Sequence, residues 1–287
     1  MIYISTGGLK SQTGYESINS YLEKGIFSIE LSGGKYEEYQ KENLKKIKKN
    51  KELILQVHNY FPPPKEPFVL NLGSLNFQIA SKSFKHIVES INLAAELGAK
   101  YYSFHAGFLL DPKVNELGKK INKKTLYNRE ISINHFIERV IKLACIAAEK
   151  DITLLIENNV LSRKNFEEFG QNILLMVDHN ECQKVMKQIN LNNVKMLVDV
   201  AHLKVSANSL NFSPEIFLSK LDKWIAAYHL SENNGYSDDN EKITAESWFW
   251  PYIKKDLDYY SIEVYNTPIQ ELVDQRNLAA NMIFNKT

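Results

Sequence analysis

A single closed (β/α)8 barrel is the fold class this sequence predicts, and three observations carry that expectation. Short apolar runs recur along the chain, amphipathic helical patterns lie between most of them, and 287 residues suit one such barrel, which takes roughly 250. Strand and helix in alternation are the mark of a parallel sheet. An open doubly wound sheet is the alternative, but the chain holds neither GxGxxG nor GxxxxGK[ST], the phosphate loops that such sheets often carry.

Eight runs read as strands: Ile2–Ser5, Phe27–Leu31, Leu53–His58, Tyr101–His105, Ile152–Glu157, Val194–Asp199, Ile225–Leu230 and Tyr260–Val264. Each is short and rich in Ile, Val, Leu, Phe and Tyr, as strands buried on both faces must be. Between them, Phe84, Ile87, Val88, Ile91, Ala94 and Ala95 make a helical stripe, with Ser83 placed to cap its start and Gly98 to end it. A second stripe follows Ser132, from Ile133 to Ala148. The Lys-rich positions 41 to 51 read as the solvated face of another helix, because acidic residues interleave with them.

No linker divides the chain, so one domain over 1–287 is expected. Two connections are long, Asn59 to Lys82 and Ala106 to Ile131. Both follow strand ends, and both would lie on the catalytic face as lids or substrate walls. Hydrophobic residues at 44% and charged residues at 24% are an ordinary globular balance. A formal net charge of +1 argues against a nucleic-acid partner, which usually selects a basic excess. Cys145 and Cys182 form no CxxC pattern and read as idle thiols of a reducing compartment. No apolar run reaches the roughly 20 residues of a membrane span, and the first residues read as a strand, so a cytoplasmic protein is expected.

The chemistry collects at the strand ends. At the last residue of a strand, or next to it, stand Glu30, His58, His105, Glu157, Asp199, His229 and Glu263, and His202 follows Asp199 by three. Each alone is weak: a strand-end acid often caps a helix, and a lone His is more often structural. In a closed barrel, however, these positions form one ring around the top of the sheet, where barrel enzymes keep their active sites. Glu157, Asp199 and Glu263 offer hard oxygens and His229 an imidazole nitrogen, a set that suits Mn, Co, Mg or Zn. Three carboxylates so placed need a cation, because their repulsion otherwise raises their pKa values. His58, His105 and His202 remain to orient substrate or recruit additional metal. His86, His135 and His179 fall in helices or at a helix end and receive no role.

The segments Val57-His58, Phe104-His105-Ala106-Gly107, Leu155-Ile156-Glu157-Asn158, Leu197 through His202, Tyr228-His229-Leu230 and Ser261-Ile262-Glu263 together resemble the xylose-isomerase-like barrel superfamily. That superfamily holds sugar isomerases, sugar epimerases and the endonuclease IV group. The resemblance implies that Glu157, Asp199, His229 and Glu263 match the shared metal ligands. It implies a divalent-metal-dependent isomerase or epimerase of a sugar or sugar-like substrate, in carbohydrate metabolism, as a monomer or a homo-oligomer. Glu157 and Glu263 would then move the proton through an enediolate. The aromatic residues Tyr60, Phe61, Phe108, Trp248 and Trp250 are candidates to wall the sugar.

The resemblance also offers an alternative, a zinc-dependent phosphodiesterase acting at abasic DNA. In that group the histidines matching His58, His105 and His202 help hold three zinc ions, with an Asp-x-His element that Asp238 begins here. The third residue of that element is Asn240, a poor zinc ligand. A basic residue common after the His229 position in the epimerases is also absent, since the chain reads Ser231-Glu232-Asn233-Asn234-Gly235-Tyr236.

Overall fold

The computed structural model describes residues 1–284. In chain order its elements are β1 (Ile2–Ser5), α1 (Gly14–Leu22), β2 (Ser28–Ser32), α2 (Gln40–Ile47), β3 (Ile54–His58), α3 (Phe77–Glu96), β4 (Tyr101–His105), α4 (Arg129–Ala148), β5 (Thr153–Glu157), α5 (Arg163–Phe169), α6 (His179–Ile189), β6 (Val194–Asp199), α7 (Val200–Leu210), α8 (Pro214–Leu221), β7 (Ile225–Leu230), β8 (Tyr259–Ile262) and α9 (Ile269–Phe284). The strands run parallel, each pairs with its sequence neighbours, and β8 closes on β1. This is a single-domain (β/α)8 barrel.

The two faces of the sheet have different work. Side chains alternate across a strand, so Leu154, Ile156, Met196, Val198, Tyr228 and Leu230 point outward and join the large core beneath the helices. Tyr3, Leu155, Leu197, Ala227 and Tyr259 point inward and plug the barrel as a separate cluster. Full burial of one such aliphatic side chain contributes about 1.5–3 kcal/mol.

One crossover, the 231–258 segment between β7 and β8, has no α-helix. Phe249 and Trp250 cover the sheet there instead, both buried in the outer core.

Two helix starts differ from expectation. Asn76, not Ser83, caps α3, its Oδ1 accepting from Gln78 and Ile79 N–H. The first turn holds Phe77, which is 82% exposed, so the apolar stripe does not register there. Ser83 is buried inside the helix and accepts from Asn71 N–H. Likewise Asn128 caps α4, four residues before Ser132. Gly98 takes the left-handed conformation past α3, as expected.

The two long connections are tied together. The Asn71 side chain donates to the carbonyls of Phe108 and Leu110 and accepts from Gly73 and Phe108 N–H. Gly107 is required beside it: a Cβ there would lie 2.6 Å from Asn71 Oδ1, and its φ is +121°. Cys145 is exposed and Cys182 buried, with no disulfide between them. Among the described residues no helix is long and apolar enough to cross a membrane.

Candidate metal centre

The inward layer continues upward by two residues per step. Leu155 is followed by Glu157, Leu197 by Asp199 and Ala227 by His229, so three strands exchange an inward apolar side chain for a polar one two residues on; Asp199 pairs with His229, while Glu157 pairs with Leu197. Glu263 arrives one residue after β8, its N–H still bonded to Leu230 O. One ligand-type atom from each of Glu157, Asp199, His229 and Glu263 lies within 4.8 Å of all the others. All four residues are buried.

Each side chain is aimed by a partner. Asp199 caps α7: its Oδ1 accepts from His202 N–H at 2.8 Å, and its Oδ2 is left facing the cluster. The Asp-x-x-His spacing is thus an N-cap and the third helical residue, which fixes both groups at once. His229 Nε2 lies 2.9 Å from Glu30 Oε2, an acceptor that also receives the Tyr259 hydroxyl. Nε2 therefore carries the proton toward Glu30, and Nδ1 faces the acids, 2.9 Å from Glu263 Oε2 and 3.5 Å from Glu157 Oε1. A ligand imidazole is commonly held in this way by a carboxylate behind it.

The donor set fits a divalent cation. Both oxygens of Glu157, Asp199 Oδ2 and His229 Nδ1 are fully buried, with no hydrogen-bond partner among the described residues. A buried polar atom without a partner costs about 1–3 kcal/mol, and here four of them face one another. The electrostatics agree. Burial pushes Asp199 up, and Glu263, Asp238 and Glu157 add to it against His202, to about 8. Burial opposes charge on His229, yet Glu30, Glu263 and Glu157 raise it well above the usual range. Burial likewise opposes ionisation of Glu157, but His105, His58 and His229 hold it at about 2. The cluster demands positive charge at its centre, which protons or a cation can supply.

His58 and His105 form a second group with Glu157: their ring nitrogens lie 3.5 and 3.3 Å from its Oε2. His58 Nδ1 contacts Ser103 Oγ at 2.9 Å. Burial lowers His105 to about 4, favouring its neutral form. His202 donates from Nδ1 to Asn158 O, and its Nε2 lies 3.2 Å from Asp238 Oδ2. All eight site residues expected from the sequence therefore meet in one region.

Glu30 joins them from β2, one of its oxygens lying within 4.8 Å of ligand-type atoms of His58 and His229. Strand β2 runs one residue further than expected, to Ser32, which pairs with His58, while Glu30 pairs with Gln56. Glu30 supports His229 through its Nε2. The expected aromatic wall is corrected. Tyr60 packs on Phe68 and His86, Phe61 is fully buried, and Trp250 donates to Thr244 O. None of the five lines the cavity over the site.

That cavity holds about 370 Å³ and is bordered by His105, His202, Asp238, Asn240, Glu263 and Tyr265, with Lys10 at its rim. Gly118 brings the second long connection to its edge, as expected of that segment, whereas no residue of the first borders it. Sequence reasoning missed Tyr265, Lys10 and Asn158. The Asn158 amide clasps Asp199 through both its N–H and its C=O. A signal existed for two of them: Asn158 adjoins Glu157, and Tyr265 lies two residues past Glu263.

The fold defines a barrel of a known kind. A family model described as xylose isomerase-like TIM barrel matches residues 11–261, and the chain belongs to that family. No curated protein matches it by sequence. Among solved structures it is similar to a D-tagatose 3-epimerase-like protein, with 19% identity and a TM-score of 0.73 over 98% of this chain and 96% of that one. It is also similar to an L-ribulose 3-epimerase, at 13%, 0.66, 99% and 87%. A D-psicose 3-epimerase from Clostridium cellulolyticum H10 with D-tagatose gives 15%, 0.65, 96% and 89%. At such identities the likeness is one of fold.

Proposed function

We propose that this protein is a divalent-metal-dependent isomerase or epimerase of a small carbohydrate, with Glu157, Asp199, His229 and Glu263 as the metal ligands. The observation that carries the reading is the convergence of three acids and one imidazole, with the facing atoms of Glu157, Asp199 and His229 buried and unpartnered, beside a polar cavity that Glu263 borders. The sugar epimerases among its structural neighbours support the same class. When bound, a divalent cation would supply Lewis acidity for negative charge developing on a substrate oxygen.

The residues of the chain supply the rest. Glu263 borders the cavity and sits at the end of β8, while Glu157 rises from β5 across the barrel, so they approach a substrate carbon from different sides. One removes the proton and the other returns it, and the pair works as base and acid. His202, held by Asn158 and Asp238, presents its ring to substrate hydroxyls, and His105 faces the same space. A lining so short of apolar side chains suits a polyhydroxylated ligand.

The direct test is solvent deuterium incorporation beside the carbonyl of a ketose panel, followed by NMR with Mn, Co, Mg or Zn present. Incorporation that vanishes in Glu157→Gln and Glu263→Gln is the expected result. Full turnover in either variant would sink the assignment.

One observation favours a second reading, the zinc phosphodiesterase: His58, His105 and Glu157 form a further triad of ligand type. Against it, the cavity lining carries Asp238 and Asp239 with Lys10 as the one Lys or Arg among them, a poor surface for a phosphate backbone. Nicking of abasic duplex by the zinc-loaded protein would put this reading first.

A further inference from the structure

We propose that Tyr265 is the positioning residue that sets the Glu263 carboxylate, and that Gly7 and Gly8 are glycines in order to seat it. The proposal rests on the functional reading above.

Glu263 has two oxygens with different neighbours. Tyr265 donates its hydroxyl to Oε1 at 2.6 Å, while Oε2 lies 2.9 Å from His229 Nδ1 in the ligand cluster. The phenol thus occupies one oxygen and leaves the other turned inward. It reaches that position only because the turn after β1 has no side chains there. A Cβ on Gly7 would fall far inside contact distance of the Tyr265 hydroxyl and 2.9 Å from the ring carbon that bears it. A Cβ on Gly8 would lie 3.3 Å from Cδ1 of the same ring. Neither glycine has the positive φ that would explain it by backbone conformation.

The turn cannot retreat to make room. Thr6 Oγ1 accepts from Ser32 N–H and donates to Ser32 O, pinning the turn to β2, and Gly7 N–H donates to Ser5 Oγ. The residue is held from other sides as well: its backbone N–H donates to Asn240 O, and the Lys10 ammonium stands 5.3 Å from the ring centroid. A methyl at Gly7 therefore has one outlet, which is displacement of the phenol from Glu263. The side chain also borders the cavity, so its placement shapes the substrate space and the carboxylate together.

The test compares Tyr265→Phe, Gly7→Ala and the double variant with the wild type. Co(II) affinity is read by isothermal titration calorimetry, kcat and KM by the deuterium assay, and the Glu263 orientation by crystallography. Loss of a partner behind a metal ligand typically costs 10–100-fold in affinity or activity. Each single variant should therefore bind Co(II) about 10-fold or more weakly and lose kcat with KM nearly unchanged. The double variant should be no worse than the weaker single, because both changes break one contact. Wild-type Co(II) affinity and kcat in Tyr265→Phe would overturn the proposal, and so would fold-losses that multiply in the double. If Gly7→Ala does not fold, Tyr265→Phe alone decides. If the wild type binds no Co(II) and exchanges no deuterium, the functional reading fails separately. The crystal structure of Tyr265→Phe then settles the positioning: a turned Glu263 supports it and an unmoved one overturns it.

Discussion

Two layers of one barrel wall have opposite chemistry, and on three strands they stand two residues apart. The lower layer, Tyr3, Leu155, Leu197, Ala227 and Tyr259, is apolar packing. The upper layer, Glu157, Asp199 and His229 with Glu263, is charged, buried and short of hydrogen bonds. The lower layer stabilises the barrel by leaving water, whereas the upper one gives up stability to hold a charged constellation in place. Glu30 stands between them, bonded to Tyr259 below and His229 above. The rigidity of the lower layer thus passes into the aim of a ligand.

If this division of labour is right, the largest effects are catalytic and confined to the upper layer. Glu157→Gln or Glu263→Gln should lower turnover by about 10²–10⁴-fold while the protein remains folded, checked by the deuterium assay beside circular dichroism. In the lower layer, Leu197→Ala should cost about 2–5 kcal/mol in urea unfolding, with the metal content per chain unchanged. A result the other way round, with Leu197→Ala stripping metal from a stable barrel, would break the comparison.

The next effect sharpens it through pH. Asp199 has a folded pKa of about 8 against an ordinary 3.8. Between those values the unfolded chain binds fewer protons than the folded one, so Asp199 costs stability progressively as pH rises. Glu157, held at about 2 against 4.5, works in reverse: its contribution is present above 4.5 and lost as pH falls toward 2. Chelator-treated protein should accordingly melt at a lower temperature at pH 8 than at pH 6. Asp199→Asn should flatten that slope, and Co(II) at 100 times its Kd should add about 2.7 kcal/mol of stability. The smallest effect belongs to the outer ring: His135→Ala, on the exposed face of α4, should change stability by no more than about 0.5 kcal/mol.

Much of this was legible before the structure. The barrel followed from the recurring apolar runs, and four of the eight strands have the expected bounds. The ligand set was legible because a closed barrel gathers its strand ends at one place, so residue type and position sufficed. What escaped depends on contacts rather than on type. The α3 cap was misplaced because Phe77 faces solvent. Trp248 and Trp250 read as site walls, yet they belong to the crossover that lacks a helix and pack on the outer core. Tyr265 and Asn158 act on ligands without resembling ligands, and only the geometry around Glu263 and Asp199 makes them visible.

The most direct test of the central claim, that the upper layer is a cation site, is elemental mass spectrometry of protein loaded with Mn or Co and then dialysed. One ion per chain in the wild type, lost in Asp199→Asn, is the predicted result. A wild type that keeps no ion, or an Asp199→Asn protein that keeps as much, would contradict it, and two or three zinc ions per chain would move the site to the phosphodiesterase reading.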